Sequence, residues 1–349
     1  MVSSTRWTPA PARRNVTIED VARAAGVGRQ TVSNVLNGSG RVGPAARARV
    51  LEAVAQLGYH PHHGARSLRS RRTMALGYLM PQTQLQSANL IMMQFLQSLV
   101  NEASRRQYRV VVVTADGDPR DEMRRLIRSR SVDAFVLSEL EHDDPRVALL
   151  HESGTPFACF GMTGPGLPQS WVDIDNSEAE AQVVRHLLDL GLNRLCYIGY
   201  ATRQYWDKQR EAGFRAGLAS RGIPGDGAGV LGINDDPSAR GKILSFIASA
   251  KPDAVVAGSD KIAVILYGVA ADLNLRVGPD LAIVGFDCSI GADLVHPTLT
   301  SVVIPVEDIA RRVVSRALRQ IETGPDTEPG EIVPVWLRQG DSTPFHRRG

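Results

Sequence analysis

The spacing of apolar and polar positions changes period along this chain and divides it into unlike parts. Between Thr17 and Ala25 the apolar groups Ile18, Val21, Ala22 and Ala25 recur at i, i+3, i+4 and i+7, the stripe of a short amphipathic helix. Thr17 suits the N-cap, and Glu19 and Asp20 suit the positive end of that helix. Gly26 permits a tight turn and Val27 fills the crossing of two helices, the second running from about Gly28 to Leu36 with Val32, Val35 and Leu36 inward. A small residue, a turn glycine and a core aliphatic at Ala22, Gly26 and Val32 fit a helix-turn-helix. The outward face of the second helix carries Arg29, Gln30, Ser33 and Asn34, side chains able to bond base edges in a major groove. A third helix opens at Gly43 and Pro44, turns Val50, Val54 and Leu57 inward and stops at Gly58.

After residue 73 the rhythm changes to short apolar runs separated by amphipathic segments. Residues 75–80, 109–114, 134–137 and 156–160 read as buried parallel strands, with helices around 90–106, 120–130 and 145–152. A second series follows at 195–200, 229–233, 254–258 and 281–286. Such alternation predicts parallel sheets covered on both faces, here as two similar lobes, with a ligand at the carboxyl ends of the strands between them.

Charge sharpens the picture. Residues 1–72 hold twelve arginines, no lysine and three acids, so they carry +9 and leave −6 for the rest of a chain whose total is +3. A small basic end on an acidic body points to a polyanionic partner at that end. The first fifteen residues have no apolar signal-peptide core and read as a disordered arm, and no run is long and apolar enough to span a bilayer. Cys159, Cys196 and Cys288 lie far apart without metal-ligand spacing, which predicts reduced, buried thiols, no metal and a cytoplasmic location.

TIEDVARAAGVGRQTVSNVLNG, RVGPAARARVLEAVAQLGY and HPHHGARSLRS follow one another in the order and spacing of the LacI/GalR family of bacterial repressors, which the sequence resembles over almost its whole length. The resemblance implies a small all-α helix-turn-helix DNA-binding domain at 16–60 and a hinge helix at 61–73. It further implies an α/β, two-lobed, periplasmic-binding-protein-like effector and dimerisation domain with parallel sheets at 74–341, and a tail at 342–349. The N-lobe would comprise about 74–172 and 304–323, the C-lobe about 173–300 and 329–341, with crossings near 172–176, 299–305 and 323–331. Arg29, Gln30, Thr31, Ser33 and Asn34 would face the major groove of a pseudo-palindromic double-stranded operator. Thr17 and Asn37 would touch the backbone, Tyr59 would brace the head against DNA, Arg66 would meet phosphates and Leu68 would wedge into the minor groove. Asn34 stands where many members have arginine, and Arg29 where small or aromatic residues are common.

For the effector the resemblance implies Arg210 and Asp287, together with Ser259 and Asp260 at a helix start. Plain helix capping is an equal reading for Asp260. Trp206 lies one turn before Arg210 and offers an aromatic platform for a sugar ring. Phe160 and Trp171 are weaker candidates, since aromatics near strands are more often core. SWVDIDN at 170–176 and the Trp206–Arg210 spacing resemble the members that answer to di- or oligosaccharides. The function implied is an allosteric repressor controlled by a sugar and acting as a homodimer without a membrane. The tail has no leucine heptad for a tetramer. A nucleobase or other non-sugar metabolite is the alternative effector. A sugar-binding protein or carbohydrate-active enzyme without a DNA role is the alternative class. No phosphate loop, dinucleotide fingerprint, nucleophile elbow or metal-ligand motif is present, so neither catalysis nor a cofactor is expected.

Overall fold

The computed structural model describes residues 16–36, 40, 42–59, 72–80, 89–114, 117–224, 229–325 and 328–343. They divide into two compact units, with the boundary between Thr73 and Met74. The N-terminal arm, Asn37, the hinge with Arg66 and Leu68, and the end of the tail lie outside the described residues.

The head contains α1 (Ile18–Ala25), α2 (Arg29–Leu36) and α3 (Pro44–Leu57). Thr17 and Asp20 cap α1 reciprocally: the Asp20 amide donates to the Thr17 hydroxyl, and the Thr17 amide donates to the Asp20 carboxylate at 3.0 Å. Gly26 ends α1 at φ +62, a left-handed conformation that glycine adopts without a side-chain clash. Val21, Val32, Val35, Val50 and Ala53 meet in the core, and the Arg49 guanidinium donates to the Ala25 carbonyl at the end of α1. Leu57 departs from expectation, being exposed. The fourteen-residue α3 outruns the eight-residue α1 and α2, and Tyr59, turned back by its amide onto the Val54 carbonyl, closes the core instead.

The body is built on two six-stranded sheets. The first lobe contributes β1 (Ala75–Met80), α4 (Leu90–Arg105), β2 (Arg109–Thr114), α5 (Pro119–Arg128), β3 (Ala134–Leu137), α6 (Pro145–Glu152), β4 (Phe157–Phe160) and β5 (Trp171–Asp173). The chain then enters the second lobe through α7 (Asn176–Asp189), β6 (Leu195–Tyr200), α8 (Tyr205–Ala219), β7 (Gly229–Ile233), α9 (Ala239–Ala250) and β8 (Ala254–Ala257). That lobe is completed by α10 (Asp260–Asp272), β9 (Ala282–Asp287), α11 (Gly291–Leu294) and β10 (Thr300–Val303). The chain returns through α12 (Val306–Thr323) to β11 (Glu331–Ile332), and crosses once more to β12 (Trp336–Arg338).

The strand orders are β11-β5-β4-β3-β1-β2 and β12-β10-β9-β8-β6-β7, parallel throughout except that β12 runs antiparallel to β10. Three corrections to the sequence reading follow. The run RVVVVT is not a buried strand: β2 lies at a sheet edge, where alternate residues meet solvent and Val112 is exposed. Glu331 and Ile332 pair with Val172 and Asp173 in the first sheet, so the last crossing falls at 333–335 rather than 323–331. Cys159 and Cys196 are buried, whereas Cys288 is only half-buried, because it sits in the turn just after β9. Among the described residues, no helix is long and apolar enough to cross a membrane.

Candidate ligand cleft and DNA-facing helix

Parallel strands send all their carboxyl ends to one edge, so the loops after β6, β8 and β9 and the starts of α8 and α10 converge on one cavity of about 920 Å³ between the lobes. Arg210, on α8, is 5% exposed and stands at its centre. Its Nε donates to Asn176 at 2.9 Å, while Nη1 donates to the Gly258 carbonyl at 2.6 Å and to Asp287 at 3.4 Å. The guanidinium lies 3.6 Å from the Phe286 ring centre and 4.5 Å from that of Trp206, a cation–π sandwich that fixes its plane.

The close approach of α7 and α8 makes this possible. A side chain at Gly213 would meet the Ser177 carbonyl oxygen at 2.2 Å, and one at Gly217 would collide with Val184. The helices therefore touch backbone to backbone, and Asn176 reaches Arg210 directly.

The carboxyls of this region sit in a dry environment. Burial pushes Asp287 up to about 8 against the pull of Arg210, and Asp173 up to about 7. Asp207, which accepts the Tyr200 amide at 3.1 Å, is raised to about 6, again chiefly by burial. Asp287 and Cys288 both take positive φ, +105 and +46, strained values for residues with a side chain, where β9 ends over the cleft. Behind Arg210 lies Glu180, 1% exposed, with neither carboxyl oxygen hydrogen-bonded, and burial raises it to about 8.

The expected effector residues separate into three groups. Trp206, Arg210 and Asp287 line the cavity together, and Phe160 lines its floor while packing 4.9 Å from the Phe95 ring. Ser259 and Asp260 also line the cavity, but both are engaged. Ser259 is the N-cap of α10 and bonds Tyr200, while Asp260 accepts from the Ser289 amide and hydroxyl and from the Ser301 hydroxyl. Asp260 is thus a tie between α10, the loop after β9, and β10. Trp171 does not line the cavity; its indole lies flat on Gly330 beside the first lobe's core.

Glu180, Tyr200 and Glu139 were not singled out by the sequence reading, and Asp173 and Asn176 entered it only within the segment SWVDIDN. For two of them a signal existed: Asn176 and Glu180, four residues apart, are polar positions on the otherwise apolar buried face of α7. The rim carries a clasp between the lobes. The Tyr205 amide donates to the Leu140 carbonyl at 2.9 Å, the His142 amide to the Arg203 carbonyl, and the Gln204 amide group to Glu139 at 2.9 Å.

In the head, Arg29 and Gln30 are exposed on α2, and Thr31, Ser33 and Asn34 are partly exposed beside them. Gln30 donates to Asn34 at 2.9 Å, and Arg29 pairs with Glu19 across an exposed gap of 3.2 Å. Thr17 is exposed with its hydroxyl held by the capping box. Tyr59 stands apart from them, buried in the head core rather than turned outward, so the brace expected at the DNA face is first a packing residue.

A helix-turn-helix unit carried with a two-lobed ligand cleft defines a class of protein, the ligand-sensing DNA-binding regulators. Residues 17–62 match the bacterial regulatory proteins, lacI family, and residues 184–343 match the periplasmic binding protein-like domain. The HTH-type transcriptional regulator CelR of Thermobifida fusca is 32% identical over 333 residues, covering 92% of this chain and 96% of that one. Catabolite control protein A of Staphylococcus xylosus is 29% identical over 324 residues, covering 91% and 96%. The solved structure of the transcriptional regulator CelR–cellobiose complex aligns with a TM-score of 0.71 at 29% identity over 94% of this chain and 99% of that one. The lac repressor dimer bound to operator and an anti-inducer aligns with a TM-score of 0.83 at 22% identity over 95% and 100%, a likeness of fold. The chain belongs to the LacI family and is a DNA-binding transcriptional regulator.

Proposed function

We propose that this regulator is a repressor whose grip on a pseudo-palindromic operator is controlled by a sugar, a di- or oligosaccharide, held between the lobes of its 74–341 domain. The observation that carries this reading is the Trp206 ring beside the Arg210–Asp287 pair in a cavity of about 920 Å³. An aromatic face suits the apolar side of a pyranose, and a guanidinium–carboxylate fork suits its rim of hydroxyls. A solved CelR–cellobiose complex is 29% identical to this chain, which makes that disaccharide the first ligand to test. Arg29, Gln30, Thr31, Ser33 and Asn34 read base edges, Thr17 and Asn37 hold the backbone, and in the 61–73 hinge Arg66 meets phosphates and Leu68 enters the minor groove. The effector acts through its unequal affinity for the DNA-bound and free states.

Removing residues 1–72 is expected to abolish operator binding in a gel-shift assay while cellobiose still raises the melting temperature of the remaining body. Operator binding by the truncated body would refute the division of labour. A melting temperature indifferent to cellobiose but raised by a purine would move the effector to the nucleobase class.

The protein acts as a homodimer through an exposed apolar strip. Leu90, Met93 and Val100 follow one face of α4, and Ile290, from the second lobe, lies against the same surface. An exposed apolar patch that joins both lobes suits a symmetric interface sensitive to lobe closure. Met93→Glu with Ile290→Glu is expected to halve the mass measured by light scattering on a sizing column. An unchanged mass would place the dimer contact elsewhere.

A further inference from the structure

We propose that the cleft is built against anions: it takes an uncharged or amine-bearing polyhydroxyl compound and excludes sugar acids and sugar phosphates. This rests on the reading of the cleft as the effector site and narrows the chemistry of that effector.

Among the described residues, seven carboxyls line the cavity against three cations, Arg203, Arg210 and Lys261. Lys261 and Arg203 each already have a carboxylate, and Arg210 is held by a buried carboxyl, an amide and a carbonyl. The Lys261 ammonium donates to both oxygens of Asp235 at 2.6 and 2.7 Å. Arg203 pairs with Glu141 at 3.2 Å across the mouth between the lobes, and Arg210 is shared among Asp287, Asn176 and the Gly258 carbonyl. An anion that draws a cation out of one of these pairs leaves a carboxyl behind, a small loss at the exposed Arg203–Glu141 pair and a larger one at the buried Arg210. Burial keeps Asp287 mostly and Asp173 about half protonated near neutral pH, yet Glu139, Glu141, Asp235 and Asp236 at the rim still outnumber the cations.

Two of the helix N-termini at the cleft, the other anion-attracting feature of such a site, already carry an acid. Asp260 opens α10 and Asp207 lies in the first turn of α8. At α4 the Asn89 side chain accepts the Met92 amide. What the cavity does offer is neutral. The Thr202 hydroxyl and the Trp206 indole N–H both line it, and neither has a hydrogen-bond partner among the described residues. A donor-only N–H and a hydroxyl are suited to sugar hydroxyls and supply no charge to balance an anion.

The test has two arms, one independent of the ligand's identity. Quenching of tryptophan fluorescence by iodide, caesium and uncharged acrylamide at constant ionic strength reads the potential at Trp206, taken as the difference between the full chain and Trp206→Phe. Caesium is expected to quench this component roughly threefold more effectively than iodide after scaling by acrylamide. Glu141→Gln with Asp235→Asn, which releases Arg203 and Lys261, is expected to raise iodide quenching. The second arm compares cellobiose with cellobionate, its C1 acid, by calorimetry, with binding of the acid expected to be weaker by roughly tenfold or more. Iodide reaching Trp206 as well as caesium does, or cellobionate binding as tightly as cellobiose, overturns the proposal. Preference for caesium with neither sugar bound upholds the charge rule and overturns the disaccharide reading instead.

Discussion

Replacing Glu180 with glutamine is expected to leave the melting temperature almost unchanged near about pH 5 and to raise it by several degrees toward about pH 8. Glu180 is buried on α7 with no hydrogen bond to either oxygen, facing Arg210 and Asp207 on α8, Tyr197 on β6 and Asp287 at the end of β9. Burial, with Asp287 and Asp207 adding to it and Arg210 opposing it, lifts its carboxyl from an ordinary 4.5 to about 8. The folded chain therefore keeps this proton over a range in which the unfolded chain has lost it. Between those two values the folded state binds more protons, so stability falls as pH rises. At about 1.4 kcal/mol per pH unit the full penalty approaches roughly 5 kcal/mol, an upper bound for a site that can relax. Glutamine has the same shape and no proton to lose, so its advantage grows across this window and levels off above it. Melting curves of the two proteins across the range give the answer directly. Parallel pH profiles would mean that Glu180 ionises without resistance or is solvated in solution.

The second large effect is expected from Arg210→Met. Methionine keeps much of the bulk between Trp206 and Phe286 but removes the cation that Asp287 and Glu180 share. Breaking a buried pair by deleting one partner is destabilising by about 3–5 kcal/mol when the survivor stays charged. Here the survivors can be protonated, so the loss should be nearly constant and smaller between about pH 5 and about pH 7. It should grow as pH rises past about 8, which makes about pH 6 and about pH 9.5 the two conditions to compare. The sign follows from Asp287, whose carboxyl is already raised to about 8 with the arginine present and rises further without it. Chemical denaturation at the two pH values measures this, and the melting shift with cellobiose should vanish at both. Equal destabilisation at both would reduce Arg210 to a packing residue.

These two positions also mark how far the sequence could be read. Arg210, Asp287 and Trp206 were legible from their places in segments that resemble a known family, and the structure brings all three to one cavity. Glu180 and Asn176 were not, because their meaning depends on which face of α7 is buried and on what lies opposite. Asp260 was readable only as a cap or a contact. Its three bonds to Ser289 and Ser301, contributed from 29 and 41 residues away, disclose a tie instead. Trp171 was a weaker candidate, with core the commoner reading, and it packs on the first lobe's core against Gly330, a partner that no local pattern announces.

What the sequence by itself determined is what short-range physics controls. The helix-turn-helix was written in i, i+3, i+4 spacing, a Thr17 cap and two left-handed glycines, and the alternation of strand and helix was written in short apolar runs. Tertiary structure alone decided which strands lie at the edges, which loops converge, and which carboxyls lose their water. The Arg210 bonds span 34, 48 and 77 residues, and the charge state around them is set by burial, a property of the assembled fold that no window of neighbouring residues contains.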